Sequence, residues 1–403
     1  MRLLSGVLVV ALVSLAATGC GGGDDIVTPS PAATASWAGP LLVYTRSIER
    51  PDETGHGRSV YEAVVYDVGA RGEFASFQPS EPNMHFVLAI ARDMIVANLG
   101  SEVVRYDADG SNPMVLRKAS SGGLIIEMGV SQDGQRLAMT EARPEGPPPA
   151  PGAVVNLEEL WRQVTSVVVI DIATGEEIAA VLQSAPGFEG FRGQAGGITW
   201  RDDGRGVVVQ GYLYSESPGG TATVMLDGSV RTHNLHGHVR VAPNGRYAEH
   251  GSLSSIPVGG LSALQSEIML YDFAAQRQVA SVGDESLLFV PREWSPDGTE
   301  FLYSTYSPRP SSDYPGFFES DPASKRLYLL RVDGSPPEPV SDVEAVHERW
   351  YGERHVQLRC LGEVTRHPGC ADERGRVQPV DIYVGDTFVG SSEGAEIIGF
   401  IDR

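Results

Sequence analysis

Several groups of residues in this 403-residue sequence have types and spacings that invite chemistry. Gly390-Ser391-Ser392-Glu393-Gly394 spells the Gly-x-Ser-x-Gly pattern, which presents a nucleophilic serine on a sharp strand-to-helix turn. That mechanism passes the serine proton to a histidine later in the chain, and none follows His367. The flanks are strand-like, so the segment reads as a hairpin turn and no catalytic residue is assigned. His233, His236 and His238 fall within one turn region, with His250 a strand later. Three converging imidazoles would hold zinc and leave a fourth position for water. The spacing matches no known ligand pattern, so these residues read as surface histidines at a junction between structural units. Phosphate-binding glycine loops, dinucleotide fingerprints and calcium loops are missing from the sequence. Neither a metal nor a cofactor is expected, and carboxylates are too numerous to single out an acid/base pair without geometry.

The three cysteines are Cys20, Cys360 and Cys370. Met1 and Arg2 form a short positive region before the apolar run Leu3–Ala17. That run is shorter than the roughly 20 residues a membrane helix needs, and has the length of a signal-peptide core. Ala17-Thr18-Gly19-Cys20 resembles the lipobox of bacterial lipoproteins, with Ala17 where leucine is usual. The resemblance implies that Cys20 is lipidated and becomes the first residue of the mature chain; the alternative is an ordinary signal peptide cut near Ala17. Gly21, rather than Asp, after the cysteine implies an outer-membrane location, facing the periplasm or the cell surface. The domains expected are a signal peptide over 1–19, a Gly/Pro/Ser-rich tether over 20–38 and one folded domain over 39–403. In an exported, oxidising compartment Cys360 and Cys370 most simply form a disulfide. A metal site there would need two more ligands, and only His355 and His367 lie nearby.

The elements that must position any site are set by composition and repeat. Hydrophobic residues make up 41% of the chain, enough for a sizeable core. Thirty-one basic residues against 52 acidic ones give a formal charge of −21, which repels phosphate backbones and anionic lipid headgroups. Nucleic acid is therefore excluded as a partner, and membrane contact is expected through the lipid anchor only.

From Leu41 onward, runs of Val, Ile, Leu and Tyr alternate with Gly, Asp, Asn and Pro, as short strands and turns do. A strand, an Asp-Gly or Asn-Gly turn and a second strand recur around Asp133-Gly134, Asp203-Gly204, Asn244-Gly245 and Asp297-Gly298. Such turns supply the positive backbone angle that a tight hairpin needs. A second pattern follows each copy, an apolar strand ending at Asp67, Asp107, Asp171, Asp272 or Asp333. Repetition over several tens of residues, all in strands, points to a β-propeller. Trp294-Ser295-Pro296-Asp297-Gly298 with Leu327-Tyr328-Leu329-Leu330-Arg331-Val332-Asp333-Gly334 resembles the WD-like repeat of TolB-type propellers. The fold class expected is all-β, with four-stranded antiparallel blades, seven in number or six plus an irregular carboxy-terminal piece. Second strands are expected to begin near Leu41, Met94, Arg136, Gly206, Arg246, Glu300 and His355. Ala395–Ile401 is expected to complete the first unit and so close the ring.

The connection between second and third strands swells at Ser47–Arg58, Arg143–Thr165, Ser252–Ser266 and Ser307–Lys325. In a four-stranded blade these emerge on one face, where per-repeat insertions commonly build a binding surface. Val154, Leu157, Leu160, Trp161 and Val164 have helical spacing in one of them; Tyr314, Phe317 and Phe318 are aromatics in another. Trp161, Tyr314, Phe317 and Phe318 are thus the expected binding residues. The function expected is a monomeric, lipid-anchored, non-catalytic module binding an envelope protein, peptide or glycan. The alternative is a propeller enzyme, lyase or hydrolase, using the central funnel.

Overall fold

The computed structural model describes residues 39–401 apart from 52–56, 80–85, 121–122, 145–162, 190–193, 214–216, 236–238, 253–264, 296, 312–317, 341–346, 352–353, 361–378 and 385–386. All of them belong to one compact unit, Ser36–Arg403.

The strands are β1 (Leu41–Pro51), β2 (Gly57–Asp67), β3 (Gly72–Phe77), β4 (Val87–Ala91), β5 (Met94–Asn98), β6 (Glu102–Asp107) and β7 (Met114–Lys118). Next come β8 (Leu124–Val130), β9 (Arg136–Pro144), β10 (Gln163–Asp171), β11 (Glu177–Leu182), β12 (Gln194–Trp200), β13 (Gly206–Leu213), β14 (Ser217–Met225) and β15 (Val230–His233). They are followed by β16 (Arg240–Val241), β17 (Tyr247–His250), β18 (Glu267–Asp272), β19 (Arg277–Gly283), β20 (Leu288–Trp294) and β21 (Glu300–Tyr306). The last are β22 (Pro308–Pro310), β23 (Phe318–Ser320), β24 (Arg326–Arg331), β25 (Glu338–Val340), β26 (His347–Tyr351), β27 (Arg354–Cys360), β28 (Pro379–Val384) and β29 (Thr387–Ile401).

Pairing gives four-stranded sheets β4–β7, β8–β11, β12–β15, β16–β19 and β20-β21-β24-β25, with β22 and β23 as a separate hairpin. One larger sheet runs β26-β27-β28-β29-β1-β2-β3. In it β29 serves twice. Its first part pairs with β28, from Val384↔Thr387 to Pro379↔Glu393, and its second part pairs with β1, with Leu41↔Ile401 and Val43↔Gly399 in register. The carboxy-terminal segment therefore supplies the strand that the first unit lacks, as expected.

Successive sheets stack face to face and interlock at their first strands, β29 against β4, β4 against β8 and β8 against β12. Alternating side chains fill the spaces between them. In β18, Ile268 and Leu270 are wholly buried and pack with Phe289, Phe301 and Tyr303 of the following sheet. Burial of this kind contributes about 1.5–3 kcal/mol per large side chain, an upper estimate because unfolded chains are partly collapsed.

The repeated turns have a mechanical reading. Asp133 accepts from Ser131 Oγ at 2.6 Å and the Gln135 amide at 3.0 Å; Asp297 repeats this with Ser295 Oγ at 2.6 Å and the Thr299 amide at 3.0 Å. Those bonds hold both carboxyls below their usual pKa, the serine bond contributing most. Neighbouring turns are also tied to each other. Arg92 Nε donates to the Asp133 carbonyl, Arg136 Nη1 to that of Gly204 and Asn244 Nδ2 to that of Asp297, at 2.8, 3.1 and 2.7 Å. Gly245, at φ 62°, abuts the Trp200 carbonyl so closely that a Cβ would collide with it. The indoles act between sheets as well. Trp200 Nε1 donates to Gly129 O at 2.8 Å and Trp294 Nε1 to Arg240 O at 2.9 Å, each reaching the first strand of the preceding sheet.

Second strands start at Leu41, Met94, Arg136, Gly206, Tyr247, Glu300 and Arg354, each at or within one residue of expectation. Three local readings change. Ser47–Arg58 is largely strand, since β1 and β2 stay paired out to Pro51↔Gly57. Gln163 and Val164 belong to β10, paired with Pro144 and Arg143, so the expected helix cannot run through Val164. Gly390–Gly394 is not a hairpin turn but the middle of β29, where Ser391 lies opposite Asp381.

Candidate functional site

The sheet β16–β19 departs from its neighbours. Its first strand has two residues, whereas β8, β12 and β20 have seven. The end of the β17–β18 connection reaches the next sheet. Gln265 pairs with Phe289 of β20, its amide donating to the Phe289 carbonyl at 3.1 Å and its carbonyl accepting at 2.8 Å.

Beside this crossing sits Glu249, wholly buried on β17. It stands five residues after the turn Asn244, a position occupied by the buried aliphatics Ala138 and Val208 after Asp133 and Asp203. Its register partner on β16 is Arg240, whose Nη1 reaches Glu249 Oε2 at 3.4 Å, a long ion pair with a half-exposed guanidinium. Among the described residues the other carboxyl oxygen makes no hydrogen bond of good geometry, and neither does Gln265 Oε1, although the Gln265 side chain lies close to the carboxyl. Burial pushes the Glu249 pKa up to about 7, with Arg240 and Gln265 pulling only partly the other way. An acid so tuned holds and releases a proton at neutral pH, the property wanted of a general acid or base.

The adjacent histidines lie on the opposite side of β17. Ala248, paired with Tyr271, packs on Val208, and strand alternation places His250 with it. The rings of His250 and His233 both lean on Tyr271, at 6.4 and 5.8 Å between centroids. His233 is buried, not at the surface, and its Nε2 shares a 2.9 Å hydrogen bond with Thr223 Oγ1. Burial lowers its pKa to about 4, so it packs as a neutral ring. Glu249 and His233 therefore do not converge, and among the described residues no group of three or more His, Cys, Asp or Glu could hold a metal.

Of the residues expected to bind, Phe318 is described: it lies on β23 opposite Pro310, partly exposed. Trp161, Tyr314 and Phe317 lie outside the described residues, as do Cys20, Cys370, His236 and His238. Cys360 ends β27 opposite Val380. The connections β1–β2, β9–β10, β17–β18 and β21–β24 all leave the sheets at the end opposite the Asp-Gly turns, because strand direction alternates. The connections β13–β14 and β27–β28 share that end. In the sequence Ala248-Glu249-His250 looks like a polar strand end; the available signal is the offset of Glu249 from Asn244, which after Asp133 and Asp203 marks the buried Ala138 and Val208.

Comparison with solved structures places the whole arrangement. The chain matches an acylaminoacyl peptidase in complex with Z-Gly-Gly-Phe-chloromethyl ketone at TM-score 0.50 and 13% identity, over 89% of this chain and 50% of that one. The uncomplexed Pyrococcus horikoshii acylaminoacyl peptidase gives TM-score 0.50 and 13% identity, over 88% and 50%. This chain is a β-propeller. The propeller thus spans half the length of those peptidases. An oligogalacturonate lyase in complex with manganese is similar at TM-score 0.44 and 14% identity, over 74% of this chain and 79% of that one. Neither a family model nor a curated protein matches. The propeller expected from the repeated strands and turns is thereby shown at the level of fold.

Proposed function

We propose that this propeller is an enzyme of lyase or hydrolase type, taking its ligand at the face that carries the second-to-third-strand connections. The observation that carries the reading is the wholly buried Glu249 carboxyl beside a truncated first strand, where burial pushes its pKa up to about 7. Solved propellers that it resembles in fold include proteins named as peptidases, of which this chain spans about half the length. The test is a panel of peptide and polysaccharide substrates offered to the native chain and to Glu249→Gln. Loss of at least about a hundredfold in turnover is expected, the usual size of a general acid–base contribution. Undiminished turnover in the variant would sink the catalytic role.

A second reading, a non-catalytic module for an envelope protein, peptide or glycan, is favoured by the co-facial connections and by the lack, among the described residues, of a second perturbed group converging on Glu249. Pull-down from envelope extract, with and without the β22–β23 hairpin, separates the two. In either case we propose seven blades, with β29 serving as the last strand of one and the first of the next. We also propose that Cys20 carries the lipid anchor at the outer membrane, and that Cys360 and Cys370 form a disulfide. Metabolic lipid labelling of the protein and of Cys20→Ser, and thiol counting by mass spectrometry, test these points.

A further inference from the structure

The half-buried arginines among the described residues differ in what answers their charge. Arg46 faces Glu62 and Glu73, both at 3.0 Å; Arg117 faces Glu141 at 3.1 Å and Glu177 at 2.7 Å. Arg201 faces Asp203 at 2.8 Å, and Arg331 faces Glu300 at 2.8 Å and Glu338 at 2.7 Å. Arg105 and Arg136 donate instead to backbone carbonyls of a neighbouring sheet, at Ile172 and Gly204. Among the described residues Arg292 has neither kind of partner. Its Nε donates to Ser304 Oγ at 3.1 Å and its Nη2 to the Tyr306 hydroxyl at 3.0 Å, both neutral oxygens.

A guanidinium is always charged and costly to hold away from water without a counter-charge. In a chain with 52 acidic residues against 31 basic ones, a half-buried cation without a carboxylate is conspicuous. The hydroxyls also orient it. Ser304 is wholly buried and fixed on β21, so the Nε–Nη2 edge is pinned in place. Among the described residues nothing bonds Nη1, and the parallel N–H bonds of the Nη1–Nη2 edge match the two oxygens of a carboxylate or phosphate. Arg292 lies on β20, the first strand of its sheet and so at the inner side of the ring.

We propose that Arg292 is an anion-binding residue, pinned by Ser304 and Tyr306, that pairs end-on with a carboxylate or phosphate group of the ligand. This does not depend on Glu249 acting as an acid. The test titrates the full chain with acetate, inorganic phosphate and, as the uncharged control, acetamide, following backbone amide shifts by NMR. Saturable binding of acetate or phosphate is expected, and the better-bound anion tells carboxylate from phosphoryl ligands. Arg292→Gln should weaken it at least tenfold. Tyr306→Phe keeps the charge but frees one edge, and should weaken it several-fold; exposed Arg326→Gln should leave it unchanged. If Arg292→Gln does not fold, Tyr306→Phe decides. Absence of saturable anion binding by the native chain, equal affinity for acetamide, or undiminished affinity in Tyr306→Phe and in any folded Arg292→Gln overturns the assignment. None of these outcomes bears on Glu249.

Discussion

Two buried side chains titrate in opposite senses, and that difference can be measured. Glu249 has its pKa raised from 4.5 to about 7, so the folded state holds a proton that the unfolded state gives up. Its contribution to stability is full below pH 4.5 and is lost as pH rises to about 7, by roughly 3 kcal/mol at ~1.4 kcal/mol per pKa unit. His233 is lowered from 6.5 to about 4, so its contribution is full above pH 6.5 and is lost as pH falls toward 4. Thermal melts should show Glu249→Gln flattening the decline between pH 4.5 and 7 and melting higher than the native chain at about pH 8. His233→Phe should remove the opposing acid-side loss. An unchanged pH profile in Glu249→Gln would mean that the carboxyl is not protonated in the fold.

The strand and its turn are the scale at which sheets are joined. Trp294→Phe removes the donor to the Arg240 carbonyl and leaves that oxygen without the indole, at a cost of about 1–2 kcal/mol in denaturant titration. Gly245→Ala should cost more, roughly 2 kcal/mol or beyond, because a Cβ meets the Trp200 carbonyl while φ stays at 62°. A loss below about 0.5 kcal/mol would mean that the turns do not abut as described. The same scale explains what could be read from the chain. Asp133, Asp203, Asn244 and Asp297 announce their turns through local chemistry, so the strands around them begin within a residue of expectation. Glu249 and Arg292 announced nothing. The burial of the first goes with the two-residue β16 and with Gln265 crossing to Phe289, and the second meets on β21 the neutral hydroxyls of Ser304 and Tyr306. Both are non-local facts that no run of neighbours encodes. The expected helix stops short of Val164 for a related reason, since there pairing with Arg143 outweighs helical spacing; Val154, Leu157, Leu160 and Trp161 lie outside the described residues.

At the scale of the whole propeller, closure depends on β29 lying beside β1, where Leu41, Leu42 and Val43 are wholly buried. Removing residues 395–403 should expose that strand edge and bring on aggregation, seen by size-exclusion chromatography beside the full chain. A truncated chain that elutes without aggregates and keeps the full chain's melting temperature would contradict closure. The β22–β23 hairpin behaves oppositely. It is self-paired, and the β21–β24 ladder resumes at Thr305↔Arg326, so replacing 307–325 by a short turn should spare the fold while removing ligand capture. The propeller's chemistry is tested most directly by carboxyl carbon-13 NMR of the intact protein, with the Glu249 signal assigned from its loss in Glu249→Gln. A titration midpoint near 7 is predicted; a midpoint near 4.5 would show an ordinary carboxylate and contradict the role given to Glu249.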